Sequence, residues 1–147
     1  MNTEFLTDKF EITEIINRLF VFTDNRQWVE LKSMVFAPEV DFDITSMGSD
    51  QATRLPSDQI CRMWEEGFKG LDAIHHQAGN YLIDVNKKKA TAVAYSIASH
   101  YKASATKGTT RTFVGSYDLH LVKMNMGWRI DGFTYHLKYT EGNLTLE

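Results

Sequence analysis

One cysteine and two prolines in 147 residues, and no long apolar run, are the first things the chain lacks. A lone Cys61 excludes an internal disulfide and suits the cytoplasm. It lies in a helical pattern, where a buried structural thiol is expected rather than a nucleophile. Crossing a bilayer takes about 20 consecutive apolar residues, so no membrane partner is expected. Basic charge is also scarce: the formal net charge is -3, with lysines and arginines scattered. That pattern attracts no phosphate backbone, and nucleic acid is excluded as the expected partner. The one basic cluster, Lys87-Lys88-Lys89, falls where a hairpin turn is expected and reads as a solvated loop. Met1 to Phe5 has no basic stretch followed by an apolar one, so no signal peptide is expected. No phosphate-cradling glycine loop, serine or cysteine nucleophile motif, internal repeat or linker is visible.

What is present reads as a single domain over residues 1–147, with 43% hydrophobic and 24% charged residues. Asp8 and Glu11 have capping-box spacing, and Ile12, Ile15, Ile16, Leu19, Phe20 and Thr23 follow helical periodicity. Asp24 falls at the edge of that apolar face. A carboxylate at a helix C-terminus among apolar neighbours is unfavourable unless a cation or donor is near, or unless Asp24-Asn25 is simply an exposed turn. A short second helix is expected around Trp28 to Val35, and Val40, Phe42 and Ile44 alternate as a strand. Ser46 to Arg54 reads as a surface loop on the rim of a pocket, and Pro56-Ser57-Asp58 opens a third helix ending at Gly70.

Beyond Gly70 the hydrophobic period changes from helical to alternating, predicting four long antiparallel strands and an α+β class. The first carries His75-His76-Gln77-Ala78-Gly79-Asn80. The next has Ala92, Ala94, Ser96, Ala98 and His100 on one face, small residues that leave room for a ligand or for a close-packed helix. In the third, Val114, Ser116, Asp118 and His120 share a face. Asn125-Met126-Gly127 is a hairpin turn leading into the last strand. By parity, Ser116 and Asp118 join His100 in the pocket, while Val93, Tyr95, Ile97, Tyr101, Phe113 and Tyr117 lie on the outer face. One bulge would invert that assignment and line the pocket with Tyr95, Tyr101 and Tyr117 instead.

The helix end Phe20-Val21-Phe22-Thr23-Asp24-Asn25-Arg26-Gln27-Trp28, the stretch His76-Gln77-Ala78-Gly79-Asn80, Gly127-Trp128-Arg129-Ile130 and Glu141-Gly142-Asn143 resemble the SnoaL-like branch of the nuclear transport factor 2-like superfamily. The resemblance runs from Ile12 to Asn143 and implies a cone-shaped α+β barrel, a strongly curved sheet wrapping helices around a deep pocket. Its polar positions are most similar to those of scytalone dehydratase, with the bile-acid dehydratases nearby. The resemblance implies catalytic Asp24 and His76, with His100 and Ser116 binding substrate and Asp118 where that family has asparagine. Two water-holding tyrosines of the dehydratase correspond to Thr23 and Phe42 here.

Asp24 accepting from one ring nitrogen of His76 would leave the other as a base for removing a proton beside a carbonyl. Three readings stay open. The chain is a cofactor-independent dehydratase or isomerase of a small hydrophobic oxygenated molecule, a ligand-binding module without turnover, or an accessory subunit with a vestigial pocket. No cofactor is expected, and no metal: His75 and His76 point to opposite faces, although His76, His100 and Asp24 could in principle form a facial triad. The apolar outer face predicts a homo-oligomer, dimer or trimer.

Overall fold

The computed structural model describes residues 3–147. Helix α1 spans Thr3–Asp24, and its buried residues Ile12, Ile15, Ile16, Leu19, Phe20 and Thr23 are those the helical spacing selects. The expected capping box is not formed. The helix already runs from Thr3, so Asp8 lies inside it, buried, accepting hydrogen bonds from Trp128 Nε1 and Lys123 Nζ at 2.9 Å each. Helix α2 is a single turn, Trp28–Glu30, continued by a π-turn over Leu31–Val35. Strand β1 (Phe36–Asp43) follows, then a 3₁₀ turn at Thr45–Met47 and a short strand β2 (Thr53–Pro56) that begins in the last two residues of the segment expected to be loop. Helix α3 covers Ser57–Gly67. The four long strands are β3 (Ala73–Asn86), β4 (Lys89–Tyr101), β5 (Thr110–Met124) and β6 (Gly127–Gly142).

All six strands form one mixed sheet in the order β2-β1-β6-β5-β4-β3. Every pairing is antiparallel except β1 with β6, which is parallel. The sheet therefore has six strands, one more than expected: β1 is the predicted Val40-Phe42-Ile44 strand, and β2 is the addition. Together with the three helices it builds the cone-shaped α+β fold expected from the sequence. Helix α1 packs on the sheet closest to β3 and β6, and Ala90, Ala92 and Ala94 of β4 are buried in the core it shares with them. The small residues of β4 divide between two surroundings: those near the middle are core, and Ala98 at one end borders a cavity.

Two features set which side chains face inward. In β3 the register slips between Gly79 and Leu82, and Asn80 adopts a left-handed φ of 56°, so two residues oppose one on β4. Before this bulge the inward side chains are Ile74, His76 and Ala78; after it they are Tyr81, Ile83 and Val85. In β5 the pairings Ala98 with Phe113, Ala94 with Tyr117 and Ala92 with Leu119 put the large odd-numbered residues beside the small even-numbered ones of β4. Directly opposite residues share a face. Phe113 and Tyr117 are therefore inside, and Ser116 and Asp118 are outside, reversing the parity assignment made from the sequence.

Candidate functional site

The last turn of α1 delivers Asp24 to the start of β3, where its carboxylate holds His76 at two points. Oδ2 accepts the backbone N–H of His76 at 2.9 Å, and Oδ1 lies 2.6 Å from the ring Nδ1. Only 14% of the Asp24 side chain and 9% of the His76 side chain are exposed, so water does little to screen the pair. An ionised carboxylate can only accept, which assigns a proton to Nδ1 and leaves Nε2 of the neutral ring as an acceptor. The unfavourable position of Asp24 is thereby resolved. The partner its helix-end location demands is the His76 backbone N–H and ring.

His100, near the end of β4, borders the same cavity. Its Nδ1 accepts a hydrogen bond from Arg111 Nε at 3.0 Å, and Phe68 and Phe113 rings lie 5.3 Å from it on two sides. Burial, then the Arg111 charge, then His76 push its pKa down to about 4, with Asp24 pulling weakly the other way. The ring is therefore neutral near pH 7. With Nδ1 engaged as acceptor, the proton sits on Nε2.

A cavity of about 230 Å³ joins these residues. Its walls are mostly apolar and aromatic: Leu19 and Phe20 from α1, Trp64 and Phe68 at α3, and Phe113, Tyr117, Phe133 and Tyr135 from β5 and β6. Ile44 and Met47 form the rim, as expected for the segment after β1. Ser46 fastens that rim by donating to the carbonyl of Tyr135 at 2.5 Å and accepting from the Leu137 N–H at 3.0 Å. Across the base of the cone, Arg26 Nη2 donates to the carbonyls of Phe68 and Leu71 and so ties the end of α1 to the segment leading into β3.

Of the residues singled out from the sequence, His76, His100 and Thr23 line this cavity, and Asp24 stands behind it, in contact with His76. The hydroxyl of Thr23 is committed, donating to the Leu19 carbonyl at 2.6 Å. Ser116 and Asp118 are not in the cavity. Asp118 is on the outer face, its side chain 60% exposed and 2.7 Å from His136 Nε2. Phe42 is buried one layer behind the wall, stacked on Phe133 at 5.2 Å between centroids. The sequence reading put Tyr117 in the cavity only under its inverted alternative, and it missed Tyr135. Burial raises both phenols, that of Tyr117 well above its usual range with its Tyr135 neighbour adding to the effect, so each stays a neutral hydroxyl.

Chemically the cavity offers one basic nitrogen, His76 Nε2 of the neutral ring, together with the His100 Nε2–H donor and two phenol hydroxyls. Cys61 is buried outside it, its thiol pushed up to about 11 chiefly by burial, which makes it a poor nucleophile. Among the described residues no group of three or more histidine, cysteine, aspartate or glutamate side chains is arranged to hold a metal ion. No described helix is long and apolar enough to cross a membrane.

Among curated proteins none matches this chain. Solved structures with the same fold include the Kfla4162 protein of Kribbella flavida, 24% identical with a TM-score of 0.91, the match covering 99% of this chain and 98% of that one. A protein provisionally named as a scytalone dehydratase, from Novosphingobium aromaticivorans, is 17% identical with a TM-score of 0.80, covering 97% and 92%. The hexachlorocyclohexane dehydrochlorinase LinA-type3 of Novosphingobium barchaimii is 10% identical with a TM-score of 0.79, covering 97% and 94%. The SnoaL-like domain family matches residues 4–134. The chain belongs to the SnoaL-like domain family.

Proposed function

We propose that the protein is a cofactor-independent lyase or isomerase that acts on a small, largely apolar molecule carrying a carbonyl oxygen. The observation behind this reading is the 2.6 Å contact between Asp24 Oδ1 and His76 Nδ1 at the wall of an aromatic cavity. His76 Nε2 takes a proton from the carbon beside the carbonyl, and the C–H electron pair moves to form an enolate. His100 Nε2–H and a phenol donate to the enolate oxygen, the kind of fixed donor that contributes most to such steps. In a dehydration the enolate expels a β-hydroxyl, which leaves as water with the proton from His76. In an isomerisation the same proton returns to another carbon. Asp24 stabilises the imidazolium between the two steps.

Two of the structural relatives bear the names of enzymes that eliminate a small molecule, a dehydratase and a dehydrochlorinase, which is consistent with a base in this cavity. The small volume supports a compact substrate, since sites for drug-sized ligands span roughly 300–1,000 Å³. The test is a cyclic β-hydroxyketone followed by enone absorbance. His76→Ala should lower turnover by about 10²–10⁴-fold, the usual contribution of a positioned acid–base group. Turnover untouched by that substitution removes His76 from the mechanism. A ligand that raises the melting temperature while mass spectrometry finds no product identifies a binding module. Exposed Tyr95, Ile97 and Tyr139 on the outer face support association of two or three copies there, and the buried, unpaired Cys61 is consistent with the cytoplasm.

A further inference from the structure

We propose that Arg111 is a positioning residue that fixes the proton of His100 on Nε2, making that ring a permanent neutral donor to the cavity. The inference deepens the acid–base reading above and rests on it for its chemical purpose. The geometry is specific. Arg111 enters from β5, directly opposite His100 in the β4–β5 register, and its Nε donates to His100 Nδ1 at 3.0 Å. Arginine has donors and no acceptor, so the nitrogen facing it cannot carry a proton. A neutral imidazole then has one place left for its hydrogen, Nε2, on a residue that borders the cavity.

The guanidinium is itself held in place. Nη1 donates to the carbonyl of Leu144 at 2.8 Å, and the group lies over the Phe113 ring, 5.7 Å from its centroid. Residues 143–147 are seated by buried Leu146 and by the Glu147 carbonyl, which accepts the N–H groups of Thr106 and Lys107. A segment remote in sequence from the cavity thus braces the arginine that orients the histidine. The charged and titratable groups around His100 are Arg111, His76 and Asp24. Arg111 and His76 oppose a second proton and Asp24 weakly favours one, so the neutral form is the one held.

The test is ¹⁵N NMR of the histidine side chains across a pH titration, on the full chain without ligand. In the wild type, Nδ1 of His100 should be unprotonated and Nε2 protonated at neutral pH. In Arg111→Met the pH at which His100 takes its second proton should rise by about one unit or more, the usual effect of removing a close charge. Arg111→Lys should restore most of the wild-type midpoint, and the melting temperature of each variant checks that it is folded. A protonated Nδ1 in the wild type overturns the proposal, and so does a midpoint that Arg111→Met leaves unmoved. Should neither variant fold, the wild-type spectrum alone still decides. The readout needs no substrate. A correct His100 tautomer with no turnover defeats the lyase reading alone, and turnover with the wrong tautomer defeats this one alone.

Discussion

Asp24 meets His76 through both of its oxygens, and this two-point grip orients the imidazole as well as polarising it. The backbone N–H contact fixes the carboxylate relative to β3, so the ring contact cannot swing away without breaking both. His100 is built on the opposite principle: it is kept uncharged. Its pKa of about 4 lies below the ordinary 6.5, so acid is where this shows. Above pH 6.5 neither folded nor unfolded chain binds a proton there, and the stabilisation is complete. As pH falls toward 4 the unfolded chain takes a proton that the folded one refuses, and stability drops. The loss from this residue is at most about 3 kcal/mol, at about 1.4 kcal/mol per pH unit. Denaturant titrations of wild type and His100→Asn at pH 7 and pH 4.5 should therefore converge at the lower pH. Asparagine still offers Arg111 an acceptor oxygen but cannot titrate, so parallel pH slopes would show that His100 does not carry the effect.

At the scale of the strands, the cavity depends on where each one bends and what lies beside it. Gly115 shows this most directly. A Cβ there would collide with the carbonyl of His136 and stand 2.6 Å from Tyr135 Oη, so the Tyr135 ring lies against bare backbone. Gly115→Ala should push that ring from the wall and cost about 1–3 kcal/mol, as overpacking typically does. Thermal unfolding measures the cost, and a neutral result would mean the sheet yields more readily than its packing suggests.

The same strand shows what the sequence could and could not reveal. The helical stripe on α1 and the small-residue row on β4 are one-sided patterns, and both were legible. That Asp24 needs a partner was legible from its helix-end position, and the family resemblance pointed to His76 as that partner. Strand β5 carries Phe113, Tyr117 and Leu119 on one face and Val114, Ser116 and Asp118 on the other, so alternation alone fits either orientation. Only its register against Ala94 and Ala98 decides, and register is a property of the pair. The Asp8 capping box failed for a related reason: its true partners, Lys123 and Trp128, are more than a hundred residues away. The short strand β2 was hidden because four residues show little alternation.

Seen as a whole, the molecule turns a chemically mixed cavity inward and an apolar sheet surface outward. Tyr95 and Ile97 are about half exposed, with Tyr139 and Tyr101 nearby, and the Asp118–His136 pair lies on the same side. A paired sheet would cover this surface. Sedimentation equilibrium should find a dimer or trimer that Tyr95→Lys with Ile97→Lys converts to monomer while the circular dichroism spectrum is unchanged. A wild type that already sediments as a monomer removes the need for a partner on that side.

The kink at Asn80 gives β3 two independent vocations. Upstream of it the strand presents His76 to the hollow; downstream it contributes Tyr81, Ile83 and Val85 to the packing beneath α1. Deleting that one residue would restore an unbroken pleat and force a choice. Either the imidazole stays inside while three greasy side chains turn to water, or those stay dry while the imidazole leaves. A single extra amino acid is what lets one strand both line the hollow and close the core.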